Sequence, residues 1–83
     1  MSEDHKPDDA LENARIIAAG GYVQNGRTCG SLSLSRALGD LDYKKNPNLR
    51  PEQQLISPMP DVKKYTYGPS DQFLVMGCDG IWE

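Results

Sequence analysis

Residues 73–76, Phe-Leu-Val-Met, form an unbroken apolar run that ends at Gly77. A run this short, closed by glycine, reads as a strand buried on both faces, and such a strand needs a covering layer on each side. An 83-residue chain buries only about 60% of its unfolded surface, so it has little apolar material for two layers. The run therefore predicts that residues 72–78 are covered by something outside these 83 residues. Just beyond it stands one carboxylate, Asp79, followed by Gly80, which lets the backbone turn sharply. A carboxylate at the end of a buried strand is costly unless a cation or a donor pairs with it. From the residues alone Asp79 is either a metal ligand or a capped structural aspartate, since Asp-Gly is also a common turn pair.

The rest of the chain supplies a matching strand and little else that is apolar. Asp61–Tyr67 reads as a second strand, joined to 72–78 by the turn Gly68-Pro69-Ser70-Asp71. Near the start, Pro7-Asp8-Asp9 opens a helix that Asp8 or Asp9 can cap. Leu11, Ala14, Ile17 and Ala18 recur at helical spacing and predict its buried stripe, with Glu12 and Arg15 paired on the wet face. Gly20-Gly21 ends it. Asn25-Gly26, between Tyr22-Val23-Gln24 and Arg27-Thr28, signals a hairpin turn with both central residues at positive φ. Ser31–Leu38 alternates at period two, which predicts a strand over its first half with Leu32 and Leu34 inward and Ser33 and Ser35 on the other face, and then a turn from Arg36-Ala37-Leu38 to Gly39-Asp40. Residues 41–60 hold four prolines, at 47, 51, 58 and 60. They read as a long exposed connection over 44–58, mobile relative to the strands, with Leu49, Leu55, Ile56 and Met59 as anchors.

Composition narrows the class. The net charge is −3 and the basic residues are scattered, so there is no nucleic-acid footprint. No apolar run approaches the ~20 residues a membrane helix needs, and the polar N-terminus carries no signal core. The reading is thus no nucleic acid and no membrane as partners, with a cytoplasmic or nuclear location in which Cys29 and Cys78 stay reduced. Two cysteines and one histidine do not make a zinc site.

Several blocks in order carry a resemblance: Asp4-His5-Lys6-Pro7, Ala19-Gly20-Gly21, Gly30-Ser31-Leu32-Ser33-Leu34-Ser35-Arg36-Ala37-Leu38-Gly39-Asp40, Pro51-Glu52-Gln53, Pro60-Asp61-Val62 and Cys78-Asp79-Gly80-Ile81-Trp82. Together they resemble the metal-dependent serine/threonine protein phosphatases of the 2C type, over nearly the whole chain. The resemblance implies an α+β fold, a fragment of an α-β-β-α sandwich with two antiparallel sheets flanked by helices. The whole of 1–83 is then the central part of that domain, with 8–30 a flap-like helix and hairpin and 61–79 core strands.

The same resemblance implies two Mn²⁺ or Mg²⁺ ions in the intact domain, held by carboxylates, and phosphoprotein substrates hydrolysed at phosphoserine or phosphothreonine by metal-activated water. Oxygen ligands suit such hard cations. It makes Asp79 one metal ligand and Glu83, where the family often carries Asp, a second candidate. It offers no catalytic residue here: His5 lies in a scaffold block, and Arg36 is expected to brace the core against a carboxylate such as Asp40 or Asp4. The first Asp-Gly-His block, an upstream Gly-Asp-Ser-Arg block and the later aspartate of the metal pair are all missing, so the 83 residues by themselves are expected to be inactive. Other chains completing the fold would be partners. The alternative is a truncated or pseudophosphatase interaction module without catalysis.

Overall fold

The computed structural model describes residues 2–82. Its one regular helix of length, α1, spans Ala10–Ala18, and a two-stranded antiparallel hairpin follows, β1 (Val23–Gln24) and β2 (Arg27–Thr28). Single 3-10 turns at Leu41–Tyr43 and Pro51–Gln53 punctuate the connection, and a four-residue helix, α2 (Asp79–Trp82), ends the described chain. The result is a small unit of helix and antiparallel hairpin.

Local sequence rules account for the ends of α1. The N–H of Gly20 donates to the carbonyl of Ile17 and that of Gly21 to Ile16, at 3.0 and 2.9 Å. Gly20 sits at φ +91°. This is the six-to-one, five-to-two pattern that closes a helix when a glycine adopts the left-handed region. At the other end, the expected side-chain cap is absent. Asp9 is extended and its carboxylate instead accepts the N–H of Lys6 at 3.0 Å. Asp9 thus stabilises the turn before the helix and does not cap the helix donors. The hairpin matches its turn chemistry: Asn25 and Gly26 have φ of +56° and +70°, and Val23 pairs with Thr28 and Gln24 with Arg27.

The face that α1 buries is not the apolar stripe. Leu11 is 81% and Ile17 59% exposed, whereas Ile16 and Glu12 are buried. Ile16 and Ile56 are the fully buried hydrophobic side chains among the described residues, in a buried set otherwise made of Pro7, Glu12, Thr28, Ser35, Gln54 and Ser57. The reason is electrostatic. Two arginines converge on Glu12, and their hydrogen bonds outweigh the burial of Leu11, worth about 2 kcal/mol. Ser35 is likewise buried and Leu34 partly exposed, the reverse of the expected alternation. The segment 31–38 forms no strand, only single bridges of Leu32 with Thr28 and of Arg36 with Ser57.

The connection 41–60 also differs from expectation. Its second half is the inner layer. Gln54, Ile56 and Ser57 are buried. Gln54 orders the loop before it by donating to the carbonyls of Asn46 and Leu49 at 2.8 and 3.0 Å and accepting the N–H of Asn46 at 3.2 Å. A buried amide that satisfies both its ends this way adds to the expected apolar anchors, of which Ile56 is buried, Leu49 and Leu55 are half-buried and Met59 is exposed.

Residues 61–78 form no strand in the structure. The turn between the two expected strands is present. Asp71 N–H donates to Gly68 C=O at 3.0 Å, and its carboxylate accepts Gly68 N–H at 2.7 Å and the Tyr65 hydroxyl at 2.9 Å. Those bonds hold the Asp71 carboxyl below its usual pKa, the Gly68 N–H contributing most. The flanking runs, 61–67 and 72–78, carry no regular secondary structure and are exposed. The Cα radius of gyration is 15.2 Å, against ~12 Å for a compact chain of this length. A run apolar on both sides has nothing to pair with here, so local turn chemistry alone does not fold it.

Candidate functional site

Two places carry chemistry: the Asp79 turn and a charged hub at Glu12.

At the hub, Glu12 Oε1 accepts Arg36 Nε at 2.8 Å and Arg15 Nη1 at 2.9 Å, while Oε2 accepts Arg36 Nη2 at 2.8 Å. Ser35 Oγ lies 2.9 Å from both Glu12 Oε1 and the carbonyl of His5, so its one proton serves one acceptor at a time. Arg15 also donates to the carbonyls of Gln54 and Ser35, at 3.1 and 2.6 Å. Arg36 reaches on to Asp61 Oδ1 at 3.0 Å, and Asp61 Oδ2 lies 2.9 Å from His5 Nε2. One network thus ties His5, helix α1, residues 35–36, Gln54 and Asp61 together.

The forked Arg36–Glu12 pair is the strong kind of charged contact. The Arg36 guanidinium, more than burial opposes it, lowers the Glu12 carboxyl from 4.5 to about 2. The Glu12 carboxylate raises Arg36 in turn. His5 and then Arg36 lower Asp61. The Glu12 carboxyl is depressed on folding, so its contribution is complete above the unfolded value and is lost as pH falls. A side chain only 3% exposed, shifted from 4.5 to about 2, contributes about 3 kcal/mol through this linkage. We expect stability to hold down to about pH 5 and to fall between pH 4.5 and 2, measured by urea unfolding across that range; Glu12→Gln should flatten that slope.

The expected bracing role of Arg36 is therefore present, but its partners are Glu12 and Asp61 rather than Asp40 or Asp4. The expected Glu12–Arg15 pair also forms, on the buried face. Asp40 sits at φ +50° with no side-chain bond to the helical turn it precedes. Arg27 is exposed, donating to the Ser31 carbonyl at 3.0 Å. The hub itself escaped the pattern of apolar residues. Its one local signal in the sequence is the Glu12–Arg15 spacing; nothing near Glu12 points to Arg36, 24 residues away.

Asp79 opens α2 and is exposed. Glu83, the other metal candidate, lies outside the described residues. Among the described residues no three His, Cys, Asp or Glu side chains come together where they could hold a metal ion. Asp79 is suited in kind to a hard cation, being a carboxylate at a sharp turn, but these residues do not by themselves form a two-metal centre. Cys29 and Cys78 are free thiols.

The family described as Protein phosphatase 2C matches residues 1–83. Probable protein phosphatase 2C 5 of Paramecium tetraurelia is 60% identical over all 83 residues, which span 28% of its length. Protein phosphatase 2C homolog 2 of Schizosaccharomyces pombe is 52% identical, with 22% of its length spanned. A crystal structure of a phosphatase from a pathogenic strain of Toxoplasma gondii superposes on 72% of this chain and 19% of its own at a TM-score of 0.71 and 51% identity. The chain belongs to the protein phosphatase 2C family. It spans less than a third of the length of these relatives.

Proposed function

We propose that the full-length protein is a metal-dependent serine/threonine phosphatase that removes phosphate from phosphoproteins. Its fold would be the α-β-β-α sandwich in which residues 61–67 and 72–78 pair as core strands beside the 8–30 helix and hairpin. The observation that carries this reading is the family match across all 83 residues, which includes the Cys78-Asp79-Gly80-Ile81-Trp82 block. Asp79 is the residue of this chain assigned to Mn²⁺ or Mg²⁺, and Glu83 is a secondary candidate. Such ions supply a water acidic enough to attack phosphorus and neutralise charge on the phosphoryl oxygens. The chain's own contribution is rigidity: the Glu12 hub fixes the helix and hairpin to the segment entering 61–78. A cytoplasmic or nuclear location belongs to the same reading.

The test is hydrolysis of a phosphothreonine peptide by the full-length protein, with Mn²⁺, with Mg²⁺ and after chelation. We expect turnover that requires the ion, and none from the 83 residues alone under any of these conditions. A full-length protein that binds phosphoproteins but releases no phosphate with either metal would replace this reading with that of an interaction module.

A further inference from the structure

We infer that Asn25 is a self-modifying site: in the folded protein its side chain cyclises onto the Gly26 nitrogen and hydrolyses to aspartate and isoaspartate, and the isoaspartate form loosens the hairpin. The inference concerns the turn between β1 and β2 and does not depend on the phosphatase reading.

The reaction is intramolecular. The Gly26 nitrogen gives its proton to a base and attacks Cγ of Asn25. The bond from Cγ to the side-chain nitrogen breaks, and that nitrogen leaves as ammonia. The product is a five-membered succinimide. Water then opens the ring at either carbonyl. Opening at Cγ gives aspartate; opening at the main-chain carbonyl gives isoaspartate, whose backbone runs through the side chain. One water is taken up and one ammonia released, with no oxidation or reduction.

The chemistry needs an asparagine whose amide is not held, followed by a residue with a free and unshielded N–H. Of the four asparagines in the sequence, Asn25 meets these needs. Asn46 precedes Pro47, which has no N–H to lose, and its Oδ1 already accepts the N–H of Asn48 at 3.0 Å. Asn48 precedes Leu49, whose N–H donates to the Asn46 carbonyl at 3.3 Å. Asn13 lies inside α1, where the helix takes up the backbone donors. Gly26 has no side chain to shield its nitrogen. A Cβ built there would meet only the Asp8 carboxylate, at 3.8 Å. Among the described residues, no hydrogen bond engages the Gly26 N–H or the Asn25 side chain.

Ring closure requires rotation about the Asn25 backbone. The turn, at φ +56° and +70°, is held by a ladder of two pairs, Val23 with Thr28 and Gln24 with Arg27. A two-stranded hairpin of this size is marginal by itself, so opening it costs less than unfolding the chain. Isoaspartate adds one backbone carbon between residues 25 and 26, and the two-residue turn no longer matches its strands. The misfit reaches Thr28, which is fully buried and whose N–H and hydroxyl donate to the carbonyls of Leu32 and Leu34 at 2.7 and 2.9 Å. Aspartate at 25 adds a charge without the extra carbon, and aspartate tolerates positive φ.

The test incubates the native full-length protein in H₂¹⁸O, beside the free peptide of residues 16–27, and digests the protein with trypsin in ordinary water. The tryptic peptide ending at Arg27 should carry ¹⁸O at residue 25. We expect conversion slower than in the free peptide and at least about tenfold faster than at Asn13 or Asn48. An isoaspartyl methyltransferase with labelled S-adenosylmethionine should mark the same peptide. Asn25→Gln should abolish that mark, because the ring would need six members. The isoaspartate form, separated by ion exchange, should melt below the unaged protein, while Asn25→Asp melts with it. Conversion of the free peptide with no ¹⁸O at residue 25 of the protein overturns the inference. So does conversion at Asn13 or Asn48 as fast as at Asn25, a mark that survives Asn25→Gln, or an isoaspartate form that melts with the unaged protein.

Discussion

Glu12→Gln should destabilise the protein by about 3–5 kcal/mol, the range for removing one partner of a buried charged pair. The substitution keeps the shape of the side chain and removes its charge. Arg36 then loses a forked acceptor, with contacts at 2.8 Å on both oxygens, and Arg15 loses its acceptor at 2.9 Å. Two guanidinium groups stay in a partly buried site with no carboxylate between them. The amide presents one oxygen where four donors converge, and its NH₂ points at a cation. Arg36→Gln should cost less, because Glu12 keeps Arg15 and Ser35. The double variant should recover part of the loss, since the orphaned charge is gone. Urea unfolding of the full-length protein and its three variants measures this. A loss below about 1 kcal/mol for Glu12→Gln would show that water already does what Arg36 is assigned to do, as at an exposed pair.

Asp79→Asn in the full-length protein should lower phosphatase activity at least about tenfold, which corresponds to about 1.4 kcal/mol of barrier. The exchange keeps size and turn geometry and removes one formal charge from the proposed metal cluster. Hard cations hold oxygen ligands through charge, so Mn²⁺ should bind more weakly. Folding should survive, because Asp79 is exposed and contributes no packing in this structure. The comparison is a Mn²⁺ titration of both proteins, following metal binding by calorimetry and phosphate release in parallel, with melting temperatures matched. Equal metal affinity and equal turnover would reduce Asp79 to a turn residue and remove the metal assignment from this chain.

The two substitutions separate the roles of the two charged places. Glu12→Gln acts on stability, and any loss of activity should follow the unfolded fraction. Asp79→Asn acts on activity at constant stability. The acid dependence follows the first: the group that sets it is Glu12, whose carboxyl lies near 2 in the folded chain.

What the sequence determined by itself is what short-range physics decides. Asn25-Gly26 admits the positive φ of a tight hairpin turn. Gly20 admits the left-handed residue that ends α1. Gly68–Asp71 closes its turn with its own backbone and carboxylate. Each is settled within about six residues, so the local sequence suffices. Membership of the phosphatase family was also legible, since it rests on ordered blocks. The tertiary structure alone decided which face of α1 is inside. Leu11 and Ile17 lost that position to Glu12, because the partners of Glu12 include Ser35 and Arg36, 23 and 24 residues away. It likewise turned the proline-rich connection inward, through Arg15 bonding Gln54 39 residues on, and gave Arg36 Glu12 and Asp61 as partners in place of Asp40 or Asp4. Apolar periodicity counts hydrophobic surface and is blind to ion pairs closed over such distances. Where the fully buried apolar side chains among the described residues are Ile16, Ile56 and Pro7, those ion pairs decide the packing.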